Sequence, residues 1–260
     1  YFRSGENSKT INIPILNDTT YEAVNETFTF QITQVLGDNA TLGTSSLSLT
    51  ISDLSLLDGL VAYHPFSGNA DDSVTSNSST FFGAGGIQNL PQLTTDRKGN
   101  ANSAYNFDGT DDYILAGSNV GITGNSPRTI SVWVKHPASP SNTIQHLVNW
   151  GTIGGSQAYG VYSTSVVLFY GHSNDLSSGQ GLTTNWDHWV FVYNSTTVFN
   201  YKNGVLINQQ NKALNTGDSP LFFGRRMDNI YYYKGSLDDV RVYDRAMDSD
   251  EVRALYEMEK

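Results

Sequence analysis

The sequence predicts an all-β protein, built as an antiparallel sandwich or jelly roll. Short runs in which apolar and polar residues alternate recur along most of the 260 residues, and such runs are typical of half-buried strands. Aromatic residues, glycine, serine, threonine and asparagine are plentiful, which suits strands and turns. Only the last stretch predicts a helix, with Asp248 as its N-cap and Glu251 three residues later as in a capping box.

Three strands are predicted before residue 52, in "KTINIPIL", "ETFTFQI" and "SLSLTI". In each of them the apolar residues alternate with polar ones and therefore share one face. Polar turns separate the three strands. They form a thin antiparallel unit, whose apolar faces need a second layer.

The segment "SDLSLLDG" at 52–59 predicts a boundary, which divides the chain into domains 1–54 and 55–260. A "KNG" sequence at 202–204 lies between apolar runs and predicts a hairpin turn, and "FDGTDD" at 107–112 supplies a second turn. Strand signals continue to the end of the chain, in "LVAYHPF", "SAYNF", "DYILAG", "TISVWVKH", "IQHLVNW", "AYGVYS", "VVLFYGH", "HWVFVYN", "TVFNYKNGVLINQQ", "PLFFGR" and "LDDVRVY".

The composition restricts the partners. With 15 Lys and Arg against 25 Asp and Glu the formal net charge is −10, which disfavours nucleic acid and anionic membranes as partners and is compatible with cations or neutral polymers. No apolar run has membrane-spanning length, so membrane insertion is not expected. The chain has no cysteine, so it has neither disulfides nor a thiolate metal site. We expect a secreted or cell-surface bacterial protein. The start at Tyr1 leads us to expect a processed product or a fragment.

Two resemblances follow from motifs. "GENSKTINIPILNDTTYEAVNETFTFQI", with "LTISD" after it, is similar to the C-terminal half of a Calx-β domain. The set "GLVAYHPFSGNADDSV", "GNANSAYNFDGTDDYI", "TISVWVKH", "WDHWVFVYN", "YKNGVLI", "FFGRR" and "KGSLDDVRVYDRAMDSDEVRALY" resembles, in order, the laminin-G-like, concanavalin A-like jelly rolls. The resemblance implies a jelly roll preceded by a small Calx-β-like strand unit, as in part of a bacterial surface adhesin.

Acidic residues provide the first candidate sites. Strand alternation places Asp238 on the same face as Val240 and Val242, where a carboxylate needs a partner. The jelly-roll resemblance implies that Asp238 closes the sandwich near acidic loops, so one structural calcium ion is predicted at Asp72, Asp108 and Asp238. The alternative is that Asp238 accepts backbone N–H bonds, with Asp239 pairing with Arg241 two residues on.

A second calcium site is implied by the Calx-β resemblance at Asp18, Glu22 and Asp53. This site is weakened, because Asn17 stands where the family has an Asp, and Leu54 follows where further acids are expected. Fewer formal charges weaken calcium binding. The alternative is that these residues are solvated turn acids.

Catalysis is not expected. Jelly-roll glycanases use two carboxylates across a sheet, commonly Glu, yet no Glu lies between Glu26 and Glu251. The sequence has no cysteine nucleophile, no G-x-S-x-G elbow and no H-E-x-x-H motif. His188 is predicted to be a packed, hydrogen-bonded strand residue.

Loops supply the candidate ligand contacts, because loops on a rigid sandwich carry function. The predicted ligand-binding residues are Trp150, Tyr170, His172, Asn174, Asp175, Arg225 and Tyr231. For each, packing at the rim of the sandwich is the alternative. The predicted function is a non-catalytic module that binds an extracellular glycan or surface polymer. The alternative is a structural unit in which strands of another segment or another copy complete the Calx-β half-domain.

Overall fold

The computed structural model describes residues 26–31, 46–51, 56–84, 89–139 and 143–260. The chain divides into two compact units, Tyr1–Asp53 and Leu54–Lys260. In the smaller unit, β1 (Glu26–Gln31) and β2 (Ser46–Ile51) pair antiparallel, with Phe28 opposite Leu49. Both strands were predicted from alternation. The predicted strand at "KTINIPIL" lies outside the described residues.

The larger unit consists of two antiparallel sheets, which confirms the predicted all-β sandwich. The first sheet has the order β12-β11-β10-β9-β16-β7-β4, and the second has the order β15-β14-β13-β8-β17-β6-β5, with β3 also paired to β17. The strands are β3 (Leu60–His64), β4 (Thr80–Phe82), β5 (Gln92–Thr94), β6 (Ala104–Asp108), β7 (Tyr113–Asn119), β8 (Arg128–Lys135), β9 (Gln145–Gly151), β10 (Ala158–Ser163), β11 (Val166–Tyr170), β12 (Leu176–Gly181), β13 (Asp187–Tyr193), β14 (Thr197–Lys202), β15 (Val205–Asn211), β16 (Pro220–Phe223) and β17 (Lys234–Tyr243).

The core lies between the two sheets, because alternate residues of each strand point inward. Val161 and Phe169 from the first sheet and Val132, Phe191 and Leu237 from the second belong to one buried cluster and are almost fully shielded from solvent. The outward residues of the two sheets therefore form two further faces. These two outer faces differ in what covers them.

The outer face of the second sheet is covered by the only α-helix among the described residues, α1 (Ser249–Glu259). Val252 and Leu255 of this helix pack with Val190 and Tyr201 in a second buried cluster. The predicted capping box is confirmed, since Asp248 accepts hydrogen bonds from the first-turn backbone while its own N–H donates to the carboxylate three residues later. No helix of the described part is long and apolar enough to span a membrane.

The hairpin predicted at "KNG" joins β14 to β15. Asn203 and Gly204 both have positive φ, at 50° and 75°, as a two-residue hairpin turn requires. Asn203 also fixes the turn to the sheet, because its Oδ1 accepts a hydrogen bond from the backbone N–H of His188 at 2.8 Å.

One prediction about β17 is wrong. Its register against β8 shifts between Asp238 and Arg241, and Asp239 adopts a left-handed φ of 44°. This bulge adds one residue to the strand. The side chains that precede it therefore point to the face opposite the one that strict alternation predicts. Leu237, rather than Asp238, shares the core face with Val240, and Asp238 lies on the opposite face.

Candidate functional site

The outer face of the first sheet carries a group of aromatic side chains. Tyr162 lies opposite His146 in the pairing of β10 with β9, and Tyr170 lies opposite Gly160 in the pairing of β10 with β11. The alternate residues of these strands, among them Val161, point to the core. Tyr162, His146 and Tyr170 therefore project away from it.

Tyr231 completes this group from the loop between β16 and β17. Its backbone carbonyl accepts a hydrogen bond from the N–H of His146 at 2.9 Å. The His146 ring lies 5.3 Å from Tyr162 and 6.0 Å from Tyr231 in stacked arrangements, and 4.3 Å from Tyr170 edge-on. We name His146, Tyr162, Tyr170 and Tyr231 the ring cluster. Tyr231 is its exposed member, with 37% of its surface accessible.

An arginine borders the ring cluster. The guanidinium of Arg226 lies 4.7 Å from the Tyr231 ring centroid, within cation–π range. Two hydrogen bonds of 2.7 Å to the carboxylate of Asp228 fix its orientation. These bonds also hold the pKa of Asp228 below its ordinary value. The charge beside Tyr231 is therefore a fixed, balanced pair.

The rings of His146, Tyr162 and Tyr170 are neutral near pH 7. Burial, with the nearby charge of Arg226 as a smaller cause, lowers the pKa of His146 to about 3, and burial raises the pKa values of Tyr162 and Tyr170 above the ordinary 10.0. Nδ1 of His146 has no hydrogen-bond partner among the described residues, and the same is true of Nδ1 of His172. The outer face of the first sheet thus combines apolar ring surfaces with polar ring nitrogens that lack a hydrogen-bond partner.

Several residues predicted from the loops meet at this face. The His172 ring lies 6.0 Å from the Tyr170 ring, so Tyr170, His172 and Tyr231 come together. Asp175 and Asn174 support the loop. The Asp175 carboxylate accepts hydrogen bonds from the N–H of Gly171 at 2.8 Å and from the Tyr162 hydroxyl at 3.3 Å.

Two other predicted contacts lie elsewhere. Trp150 faces the core because β9 extends through it to Gly151; it is fully buried and its Nε1 donates to the carbonyl of Ile122 at 3.3 Å. Arg225 is 5% exposed, and its guanidinium stacks 3.8 Å from the Tyr113 ring. Trp150 is therefore a packing residue, as its alternative interpretation held.

Sequence reasoning missed His146 and Tyr162 as candidate site residues, whereas the segment "RRMDNIYYY" that holds Arg226 was among the candidate loops. His146 and Tyr162 were read only as parts of the strands "IQHLVNW" and "AYGVYS". The alternation of each strand could have shown that these two rings point outward, because rings with a polar tip at alternate positions of an apolar strand occupy its outer face. Which strands lie side by side, and hence which rings meet, is not visible in one sequence.

Asp72, Asp108 and Asp238, which were predicted to bind one calcium ion, do not form a cluster of acids with one another. Asp72 accepts hydrogen bonds from the backbone N–H groups of Tyr63 and Val74, at 2.9 and 3.0 Å, and from the Thr75 hydroxyl at 2.5 Å. Although burial raises the pKa of this carboxyl, these hydrogen bonds hold it below its ordinary value. Asp72 thus stabilises a turn.

Asp238 has an arginine partner that was not predicted. Its Oδ2 lies 2.6 Å from Nη1 of Arg97, and its Oδ1 accepts the backbone N–H of Asp239 at 2.8 Å. Burial and the charge of Asp239 raise the pKa of Asp238 to about 7. Arg97 also pairs with Asp239 at 2.7 Å, closer than the predicted partner Arg241 at 4.0 Å. The guanidinium of Arg97 is therefore the positive partner that the prediction had assigned to a calcium ion at Asp238.

Asp108 lies with two other acids. One carboxylate oxygen each of Asp108, Asp111 and Asp112 lies within 4.8 Å of the others, the only such group of three among the described residues. We name these residues the acidic triad. Asp112 is 4% exposed, and its Oδ1 has no partner among the described residues. Burial, followed by the charges of the other two acids, raises the pKa of Asp112 to about 6. The predicted Calx-β acids Asp18, Glu22 and Asp53 lie outside the described residues.

Comparison with known families agrees with the sandwich. A laminin-G family model, described as the concanavalin A-like lectin/glucanases superfamily, matches residues 108–253, more than half of the chain. The chain belongs to this superfamily. No curated protein matches it.

Solved structures share this superfamily fold. The binding domain of Paraclostridial Mosquitocidal Protein 1 is 19% identical with a TM-score of 0.61, covering 78% of this chain and 52% of that one. Domain 4 of AbnA, an extracellular GH43 arabinanase from Geobacillus stearothermophilus, in complex with arabinotriose, is 18% identical with a TM-score of 0.52, covering 76% and 98%. The binding domain of botulinum neurotoxin serotype D is 14% identical with a TM-score of 0.57, covering 77% and 51%. The chain thus spans about half of the two toxin domains.

Proposed function

We propose that the larger unit is a non-catalytic carbohydrate-binding module of an extracellular protein and that the ring cluster is its contact surface. The observation that carries this proposal is the exposed Tyr231 ring, stacked with His146 and bordered by Arg226. Flat rings with polar tips bind the apolar faces of sugars, and neighbouring polar atoms bind their hydroxyls.

The superfamily supports a binding role. The similar structures are the binding domains of two toxins and an arabinanase domain in complex with arabinotriose. At identities below 20% they establish the fold, and the ring cluster supplies the chemistry specific to this chain.

The acids beside the ring cluster favour binding over hydrolysis. Glycoside hydrolysis needs a carboxyl that is protonated near neutral pH. Asp228 is held ionised by Arg226, and Asp175 accepts two hydrogen bonds that shape its own loop. Each therefore has a positioning role.

A glycan array, probed with and without calcium, tests the proposal. We expect binding to a set of related neutral or acidic glycans. Tyr231→Ala should weaken that binding by about tenfold or more, since stacking on one ring is worth on the order of 1–2 kcal/mol. Tyr232→Ala, the adjacent tyrosine outside the ring cluster, is the matched control. Absence of binding across the array, or equal losses in the two variants, would refute the proposal.

Calcium is part of the proposal, with the acidic triad as its site. Calcium prefers several oxygen ligands in a flexible arrangement, which carboxylates of an Asp-Gly turn provide. The unpartnered, buried Oδ1 of Asp112 fits a metal ligand, because a cation would compensate the repulsion among the three acids. In this proposal Asp108 keeps its predicted role, while Asp72 and Asp238 serve the fold.

The other predicted function, an assembly unit completed by strand addition, has one observation in its favour. Phe30 on β1 leaves 37% of its surface exposed, and exposed aromatic residues on a strand favour association. Mass photometry across a dilution series tests it. Monomers at every concentration would exclude strand exchange between copies.

A further inference from the structure

A cleft of about 480 Å³ opens on the second sheet, away from the ring cluster. Its volume falls within the roughly 300–1,000 Å³ that is typical of small-ligand sites. The polar residues that line it come from three adjacent strands and the residue that follows β8: Asn106, Asp108, Lys135, His136, Lys234 and Ser236. We name it the lysine cleft.

The strand register explains why these groups converge. Ser236 lies opposite both Asn106 on β6 and Lys135 on β8, so these three residues form one row across the sheet. Lys234 lies two residues before Ser236 on the same face of β17, opposite Asp108. Adjacent strands are about 4.8 Å apart, so the two ammonium groups can reach one small ligand together.

The two lysines are available for a ligand. Lys135 and Lys234 are both exposed, and neither has a salt bridge among the described residues. Asp108, the only acid among the residues that line the cleft, accepts on Oδ1 a hydrogen bond from the backbone N–H of Thr110 at 2.7 Å. In a chain with a net charge of −10, two unpaired lysines in one concave site form a local attraction for an anion.

His136 provides an independent observation. It lines the cleft, is 4% exposed, and neither ring nitrogen has a hydrogen-bond partner among the described residues. Its ring packs edge-on against Tyr233 at 5.6 Å, which fixes its position. Buried polar groups normally have partners, because leaving one unsatisfied costs free energy. A polar ligand that reaches the ring would remove this cost.

We propose that the lysine cleft binds one acidic sugar residue, a hexuronate, as a second carbohydrate site. Its carboxylate would lie between the ammonium groups of Lys135 and Lys234, and its hydroxyls would meet Ser236, Asn106 and His136. The donors and acceptors of these three side chains match hydroxyls, whereas a bare anion would leave them unused. The site is on the opposite sheet from the ring cluster and does not depend on it.

Calorimetric titration of the whole chain with trigalacturonate, in the presence of a chelator, tests this proposal. Galactotriose serves as the neutral analogue. We expect binding of the acidic trimer only. Lys135→Gln/Lys234→Gln should weaken it by about tenfold or more, because two charge-assisted contacts are lost. Lys98→Gln/Lys260→Gln removes the same charge elsewhere on the surface and should change affinity by less than about twofold.

Further variants separate the outcomes. His136→Phe preserves the packing on Tyr233 and should weaken trigalacturonate without lowering the melting temperature. Tyr231→Ala should leave this affinity unchanged, so failure at the lysine cleft and failure at the ring cluster are distinguishable. The proposal is overturned by equal affinity for the two trimers, by no binding of either, or by equal losses in the two double-lysine variants.

Discussion

The indole Nε1 of Trp133 donates a hydrogen bond to Oε2 of Glu259 at 2.6 Å, joining the second sheet to the last turn of α1. Glu259 is 3% exposed, and its other carboxylate oxygen pairs with the guanidinium of Arg241. The helix therefore ends in a buried ion pair rather than in a solvated turn. Its apolar face and this carboxylate together hold it on the sheet.

Replacing Glu259 by Ala should destabilise the larger unit strongly. The change leaves the buried Arg241 with only the more distant carboxylate of Asp239, at 4.0 Å, and breaking a buried pair costs up to about 3–5 kcal/mol. Urea unfolding followed by tryptophan fluorescence measures the loss. Glu257→Ala removes a partly exposed carboxylate that pairs with the exposed Lys260, and it should cost far less, because exposed pairs contribute little to stability. Similar losses in the two variants would contradict the anchoring role of Glu259.

Replacing Arg97 by Met should destabilise the protein more at pH 8 than at pH 5. Arg97 pairs with Asp238 and Asp239, and at pH 8 its loss leaves the buried carboxylate of Asp238 without a cation, at a cost of up to about 3–5 kcal/mol, while Asp239 keeps the Tyr63 hydroxyl and Arg241. The pKa of Asp238 is about 7, above the ordinary 3.8. The folded state therefore retains its proton at pH 5, where less charge is left unpaired.

Denaturant unfolding at both pH values checks this expectation. Arg253→Met, which removes an exposed guanidinium paired with Asp250, is the control and should change stability by less than about 1 kcal/mol at either pH. A loss that is the same at pH 5 and pH 8 would argue against the titration of Asp238.

Calcium should raise the melting temperature through the acidic triad. Ligand binding to the folded state alone adds about 2.7 kcal/mol at a free concentration about 100 times Kd, or roughly 5–10 °C for a domain of this size. Asp112→Asn should abolish this rise. The same variant should be more stable than the parent in chelator at pH 7, because it removes a buried carboxylate that lacks compensation.

The control for calcium is Asp250→Asn, an exposed acid in the first turn of α1. Its melting temperature should keep the full response to calcium. In chelator, stability contributed by Asp112 falls as pH rises from its ordinary pKa of 3.8 through about 6, because the folded state binds this proton more tightly. An unchanged midpoint with calcium would remove the site.

Acid should destabilise the protein between pH 7 and pH 5. Burial lowers the pKa values of four histidines below the ordinary 6.5: His64, His136, His146 and His188. The unfolded chain therefore takes up protons at these histidines that the folded chain binds less readily, and stability is lost as pH falls through 6.5. Asp112 and Asp238 act in the opposite direction, since the folded state binds their protons below about pH 6 and 7.

Near pH 5 the three histidines with pKa values of about 4, 3 and 3 outnumber the two acids, and each group contributes a slope of at most about 1.4 kcal/mol per pH unit. Urea midpoints at pH 7, 6 and 5 in chelator measure this slope. His146→Phe removes one of the four histidines and should reduce the slope by about 1.4 kcal/mol per unit. Stability that is constant or rises towards pH 5 would show that these histidines are not held neutral.

Local features were predictable from the sequence. Alternation of apolar and polar residues predicted the strands, because a strand with one buried face must alternate. The "KNG" turn and the capping box at Asp248 were also predictable, since each depends on residues within four positions of one another. The ordered motifs of the superfamily identified the sandwich, which no single motif could do.

The partners of these elements were decided by the tertiary structure. Arg97 and Asp238 are 141 positions apart, and no periodicity indicates that they meet. The ring cluster likewise joins three strands and a loop, because strand order places His146 beside Tyr162. The bulge at Asp239 places Asp238 on the face opposite the core, because one added residue in a strand moves the preceding side chains to the other face of the sheet. The sequence by itself therefore determined most of the strands, but not β4, β5 and β12, which are short or polar and lack the alternation of a half-buried strand. The packing of distant strands decided which side chains come together.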